Sequence, residues 1–138
     1  ALLTALKNID VNGLIGIASA PDFTKNEWDR LSETEKEEFK SNGSILFPDE
    51  DYGDYEVFYE FVKDGFQHEI LNDKIEITCP VRLLHGKLDK VIAYNVSEKI
   101  IEQLSTSDKS LMIIEDGDHN LSRQEDLEIL FKKVKELI

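Results

Sequence analysis

What constrains this chain most is a rhythm in which short runs, apolar on both faces, alternate with stretches of helical period. Leu14-Ile15-Gly16-Ile17-Ala18-Ser19-Ala20, Val81-Arg82-Leu83-Leu84-His85 and Leu111-Met112-Ile113-Ile114 are too short for helices and lack a regular polar alternate, as strands covered from two sides do. Val96–Leu104 and Arg123–Ile138 carry apolar residues at helical spacing. The alternation predicts an α/β fold: three parallel strands near Leu14–Ala20, Val81–His85 and Leu111–Ile114, with helices packed around them. A length of 138 residues suits one domain, and 41% hydrophobic residues supply its core.

Local punctuation divides the rest. Pro21 stops the first apolar run, and Asp22 to Glu38 reads as helical, with Ser32 and Glu35 spaced as a capping box and Gly43 closing the segment. Ser44–Pro48 suits a short extended piece, and Asp49–Asp54 is an acidic loop of turn-forming residues. Tyr55–Lys63 returns to helical spacing, so Val57, Phe58, Phe61 and Val62 are expected to form a core stripe. Ala1–Lys7 consists of helix formers without a capping residue and reads as the end of a helix.

Charge narrows the partners. The 29 acidic against 16 basic residues leave a net charge of −13, which opposes nucleic-acid binding because phosphate contacts need clustered cations. No apolar run approaches the roughly 20 residues that cross a bilayer, and Ala1–Leu6 lacks the basic start of a signal peptide, so a soluble, cytoplasmic protein is the expectation. Cys79 is the single cysteine, which excludes an internal disulfide and a thiolate metal cluster.

Two strand ends carry the candidate chemistry. In open α/β sheets ligands bind beyond the carboxyl ends of the strands, so His85-Gly86-Lys87-Leu88-Asp89 and Glu115-Asp116-Gly117-Asp118-His119 are expected on one rim. If their strands are parallel neighbours, Asp89 and His119 meet. A carboxylate beside an imidazole fixes its tautomer and stabilises the imidazolium formed during proton transfer; the plainer alternative is two turn residues.

The stretches Gly13–Thr24, Cys79–Asp89 and Asp116–Arg123 together resemble the second half of an α/β-hydrolase, from the branch of small serine esterases and acyl-protein thioesterases. The resemblance implies Asp89 as the triad acid and His119 as the triad base, in the chain order Ser, Asp, His of that fold. It implies that residues 22–73 form a lid-like insertion within the single partial domain 1–138. Phe23, Trp28, Phe47 and Phe58 would then line an acyl-binding wall, or else serve as plain core. No cofactor and no metal is implied.

The departure from the family is the nucleophile, for no serine here sits in Gly-x-Ser-x-Gly. Ser19 stands at a strand end but lacks the flanking glycines of a nucleophile elbow. The expectation is therefore the acid–base part of an ester or thioester hydrolase, partnered by a complementary Ser-bearing chain or self-associating through an open sheet edge. The alternative is a non-catalytic remnant or interaction domain with the same fold.

Three weaker signals are set aside. Asp49, Asp51, Gly53, Tyr55, Val57 and Glu60 match calcium-loop ligand positions, but Asp54 stands where the turn needs glycine. His85, His119 and Asp89 make a poor metal triad, and His68 reads as a surface or boundary residue. Arg82, in an apolar strand, is expected to hold a carboxylate from the neighbouring layer.

Overall fold

The computed structural model describes residues 1–7, 10–48 and 53–138. In chain order its elements are α1 (Leu2–Lys7), β1 (Leu14–Ile17), α2 (Phe23–Arg30), α3 (Glu33–Asn42), β2 (Ser44–Phe47), β3 (Tyr55–Phe58), α4 (Tyr59–Gly65), β4 (Val81–Gly86), α5 (Asn95–Gln103), β5 (Lys109–Ile114) and α6 (Gln124–Lys135). They fall into two compact units, one comprising Ala1–Pro21 with Ile70–Ile138, the other Asp22–Glu69.

In the first unit the three expected strands form one parallel sheet in the order β1-β4-β5. Every residue of β4 is buried, which explains its lack of alternation. Val81 and Leu83 join Leu14, Ile75, Ile77, Ile100 and Leu104 in one cluster, against which Leu2 and Leu6 of α1 pack. Leu84 points the other way, to Ile114 and Leu121 and to Ile129 and Leu130 of α6. Arg82 is tolerated in this strand because its guanidinium holds Asp108 at 2.8 Å and Glu136 at 2.9 Å, the carboxylate partner that its setting predicts. The first strand is shorter than expected: Ala18 N still donates to Leu84 O (2.9 Å), but its φ of 43° turns the chain out of the extended path.

The second unit departs further from expectation. The single helical segment is two helices, because Leu31 is extended (ψ 140°) and Ser32 starts α3 afresh. Ser32 forms the predicted capping box, its Oγ accepting from Glu35 N (3.3 Å) while Glu35 Oε2 accepts from Ser32 N (2.8 Å). Gly43 closes α3 at φ 80°, the left-handed region that favours glycine.

The helix expected over Tyr55–Lys63 is a correction. Tyr55–Phe58 is a strand paired antiparallel with Ser44–Phe47, and helix begins only at Tyr59. Tyr, Val and Phe are strand formers, and cross-strand pairing, including Phe47 stacked on Tyr55 at 5.8 Å, overrides a helical spacing this short. Of the expected core stripe only Val62 is buried; Phe58 and Phe61 are more than half exposed. The aromatic centre is instead Phe39, fully buried, with Trp28 and Tyr59 at 6.1 and 5.6 Å from its ring. The acidic loop's Asp49, Glu50, Asp51 and Tyr52, and with them the calcium-loop pattern, lie outside the described residues.

Replacing Ser32 by Ala removes the cap of α3 and is expected to cost about 1 kcal/mol. The midpoint of urea unfolding, read from the fluorescence of Trp28 beside Phe39, measures it; an unchanged midpoint contradicts the capping assignment.

Candidate active site

The parallel register brings the carboxyl ends of β1, β4 and β5 to one rim, as Ile17↔Leu84 and Gly86↔Ile114 fix. Beyond the strands the ladder continues into the loops: Lys87 N donates to Ile114 O (2.8 Å) and Leu88 N to Gly117 O (2.9 Å). This requires two backbones to touch. A Cβ on Gly86 would overlap the carbonyls of Gly117 and Asp118, and one on Gly117 would stand 3.0 Å from Gly86 Cα.

Held this way, the two predicted residues meet. His119 Nδ1 lies 2.8 Å from Asp89 Oδ2. The Asp89 side chain is wholly buried, that of His119 36% exposed. Asp89 Oδ1 accepts from the amides of Val91 (2.8 Å) and Ile92 (2.9 Å). Burial pushes its carboxyl up, but the Ile92 amide, the His119 imidazole and the Val91 amide together hold it below the usual carboxylate range. A carboxylate only accepts, so the hydrogen-bond network assigns the proton of neutral His119 to Nδ1, and Nε2 keeps a free lone pair.

The loop carrying His119 has its own supports. Asp118 Oδ1 accepts from Asn120 N (3.0 Å) and Leu121 N (2.9 Å), and Leu121, at φ 45°, buries its side chain beside Leu84 and Ile114. Arg123 forks between two carboxylates, reaching Asp116 at 2.6 and 3.0 Å and the buried Asp126 at 2.8 and 2.9 Å. Lys87 Nζ ties the neighbouring loop to Glu115 at 2.6 Å.

Other sequence candidates fall elsewhere. Ser19 has its hydroxyl folded against Gly16, and among the described residues no hydrogen bond links it to His119. His85 is wholly buried, its ring nitrogens engaged by Ser97 Oγ (2.7 Å) and Ile92 O (2.9 Å), so they are not disposed as metal ligands. Among the described residues no group of three His, Cys, Asp or Glu is placed to hold a metal ion. His68 is exposed, 3.6 Å from Asp64. Phe23 and Phe58 are 46% and 58% exposed, so neither is plain core. Sequence reasoning missed Ser97 and the Arg123 fork; the one signal for the latter was the spacing of Arg123 and Asp126 at a helix start.

Against known proteins, the family model described as serine aminopeptidase, S33, matches residues 54–126, more than half of the chain. Human mitochondrial palmitoyl-protein thioesterase ABHD10 is 28% identical over 130 residues, covering 93% of this chain and 42% of the relative. The rat protein of the same name is 30% identical, with 93% and 44% covered. The chain thus spans less than half the length of these curated relatives. The solved structure of mouse alpha/beta hydrolase domain-containing protein 10 superposes with a TM-score of 0.88 at 28% identity, over 99% of this chain and 56% of that one.

Two outcomes follow from the geometry. Gly86→Ala is expected to cost about 3 kcal/mol or more, because backbone rather than a flexible side chain must move; urea unfolding measures it. Asp89 ionises more readily folded than unfolded, so its contribution is full above the ordinary carboxylate pKa and fades as pH falls through the lower folded value. The stability gap between wild type and Asp89→Asn is therefore expected to narrow as pH falls below about 4, and a gap that does not change between about pH 5 and about pH 3 contradicts this.

Proposed function

Because the chain belongs to the serine aminopeptidase S33 family and carries the fold of an α/β-hydrolase, we propose that it supplies the acid and base of a serine hydrolase acting on esters or thioesters. The observation that carries this reading is the 2.8 Å contact of a buried carboxylate with the Nδ1 of a partly exposed imidazole. His119 Nε2 takes the proton of a serine hydroxyl as its oxygen attacks the acyl carbon, and Asp89 stabilises the resulting imidazolium. His119 then protonates the departing alcohol or thiol. In the second half-reaction it deprotonates the water that releases the acid. The thioesterase names of the relatives favour thioester among the acyl substrates.

No Gly-x-Ser-x-Gly occurs in the 138 residues, so the proposal includes a Ser-bearing segment beyond them. β1 supports where it docks: in the order β1-β4-β5 this strand pairs, among the described residues, on one side, and its other edge offers amides and carbonyls to a further strand. A second copy of the chain is the competing occupant, and a stable monomer in sedimentation that retains native packing counts against both.

The activity test uses p-nitrophenyl acyl esters and acyl thioesters, with the chain alone and with the polypeptide encoded upstream. Hydrolysis is expected only when a Ser-bearing partner is present, falling about 10⁴-fold in Asp89→Asn and about 10⁶-fold in His119→Ala. No hydrolysis with any partner, or hydrolysis indifferent to both substitutions, leaves the non-catalytic remnant as the better reading.

A further inference from the structure

His85 is a buried titratable group that the acid–base chemistry does not use, yet it touches the group that matters most. Its Nε2 lies 3.2 Å from Asp89 Oδ2, and both side chains are wholly buried. The same Nε2 lies 2.9 Å from Ile92 O, which only accepts, so Nε2 carries the proton. Nδ1 of the neutral ring is then the acceptor, and Ser97 Oγ, at 2.7 Å and also buried, is the donor. The Asp89 carboxylate therefore has hydrogen bonds from two amides at Oδ1 and from His119 at Oδ2, while His85 Nε2, hydrogen-bonded to Ile92 O, stands against the same Oδ2 at 3.2 Å.

His85 reaches this carboxylate by two routes. It contacts Oδ2 directly, and it fixes the carbonyl of Ile92, whose own amide holds Oδ1. Turning Asp89 away from His119 would break both. We infer that His85, itself oriented by Ser97 of α5, is a positioning residue for the Asp89–His119 pair, a role that rests on the acid–base reading of that pair. The relay runs from a helix on one face of the sheet, through β4, to the rim. No proton needs to travel along it; its work is orientation.

The test reads the tautomer of neutral His119 in the ¹⁵N-labelled 138-residue chain by two-bond ¹H–¹⁵N correlation. Wild type is expected to show the Nδ1–H form. His85→Phe, which keeps a ring but removes the donor, is expected to shift His119 to a mixture in which Nε2–H predominates. His85→Gln keeps an N–H at the same reach and is expected to retain the Nδ1–H form. An undiminished Nδ1–H form in a natively folded His85→Phe overturns the proposal, as does a His85→Gln that shifts as far as the Phe variant. If His85→Phe does not fold, Ser97→Ala decides: a partial shift in the same direction supports the role, and an unchanged His119 overturns it. The readout needs neither substrate nor nucleophile, so failure of the esterase assay leaves it intact, and a negative tautomer result leaves the assay's outcome unaffected.

Discussion

The structure depends on two backbones being allowed to touch where β4 and β5 end. Gly86 and Gly117 leave no side chain between them, so the parallel ladder continues past the strands through the amides of Lys87 and Leu88. Loops that leave a sheet normally diverge, and function placed on them inherits that freedom. Here the loops bearing Asp89 and His119 are hydrogen-bonded to each other before either functional side chain is reached. Their separation is therefore set by strand spacing, the least adjustable length in a sheet.

On that frame the two groups have opposite environments. Asp89 is buried with its lone pairs taken, a state in which an ionised carboxylate is tolerated and cannot wander. His119 is anchored through Nδ1, and among the described residues no hydrogen bond engages its Nε2. Around it the charges are paired locally: Lys87 with Glu115, Arg123 with Asp116 and Asp126. The net charge of −13 does not reach the site as an uncompensated acidic cluster, and the acidic run after β5 serves as scaffolding. Asp116 and Asp118 shape the loop, while His119 projects from it.

How much of this is legible in the residues depends on the range of the forces involved. The strands of the first unit are readable because short apolar runs without polar alternation suit a sheet, most fully in β4, which is buried on both faces, and the capping box of Ser32 and Glu35 is readable because its partners are three residues apart. Asp89 and His119 are readable as a pair only once parallel strands are assumed, since their contact is a consequence of register. Tyr55–Phe58 misleads because four residues satisfy a helical and an extended pattern alike, and a partner strand earlier in the chain decides between them. His85 attracts notice for the wrong chemistry. As letters, an imidazole near an aspartate suggests a metal; only the positions of Ser97 Oγ and Ile92 O show both ring nitrogens already engaged.

The same contrast explains why a sheet of three strands suffices to fix a carboxylate against an imidazole. An acid and a base that act by orientation need rigid neighbours, and β4, flanked on both edges and buried along its length, provides them within these residues. A nucleophile of the Ser type needs something different, a strained turn with backbone donors aimed at a developing oxyanion. The left-handed turn at Ala18 ends β1 but sends the Ser19 hydroxyl back onto Gly16, so the strand end nearest in kind to such an elbow is folded shut. Orientation is completed by hydrogen bonds internal to the chain, whereas among the described residues no hydrogen bond engages His119 Nε2. Under the proposed function, that nitrogen is the base available to a hydroxyl supplied from beyond these residues.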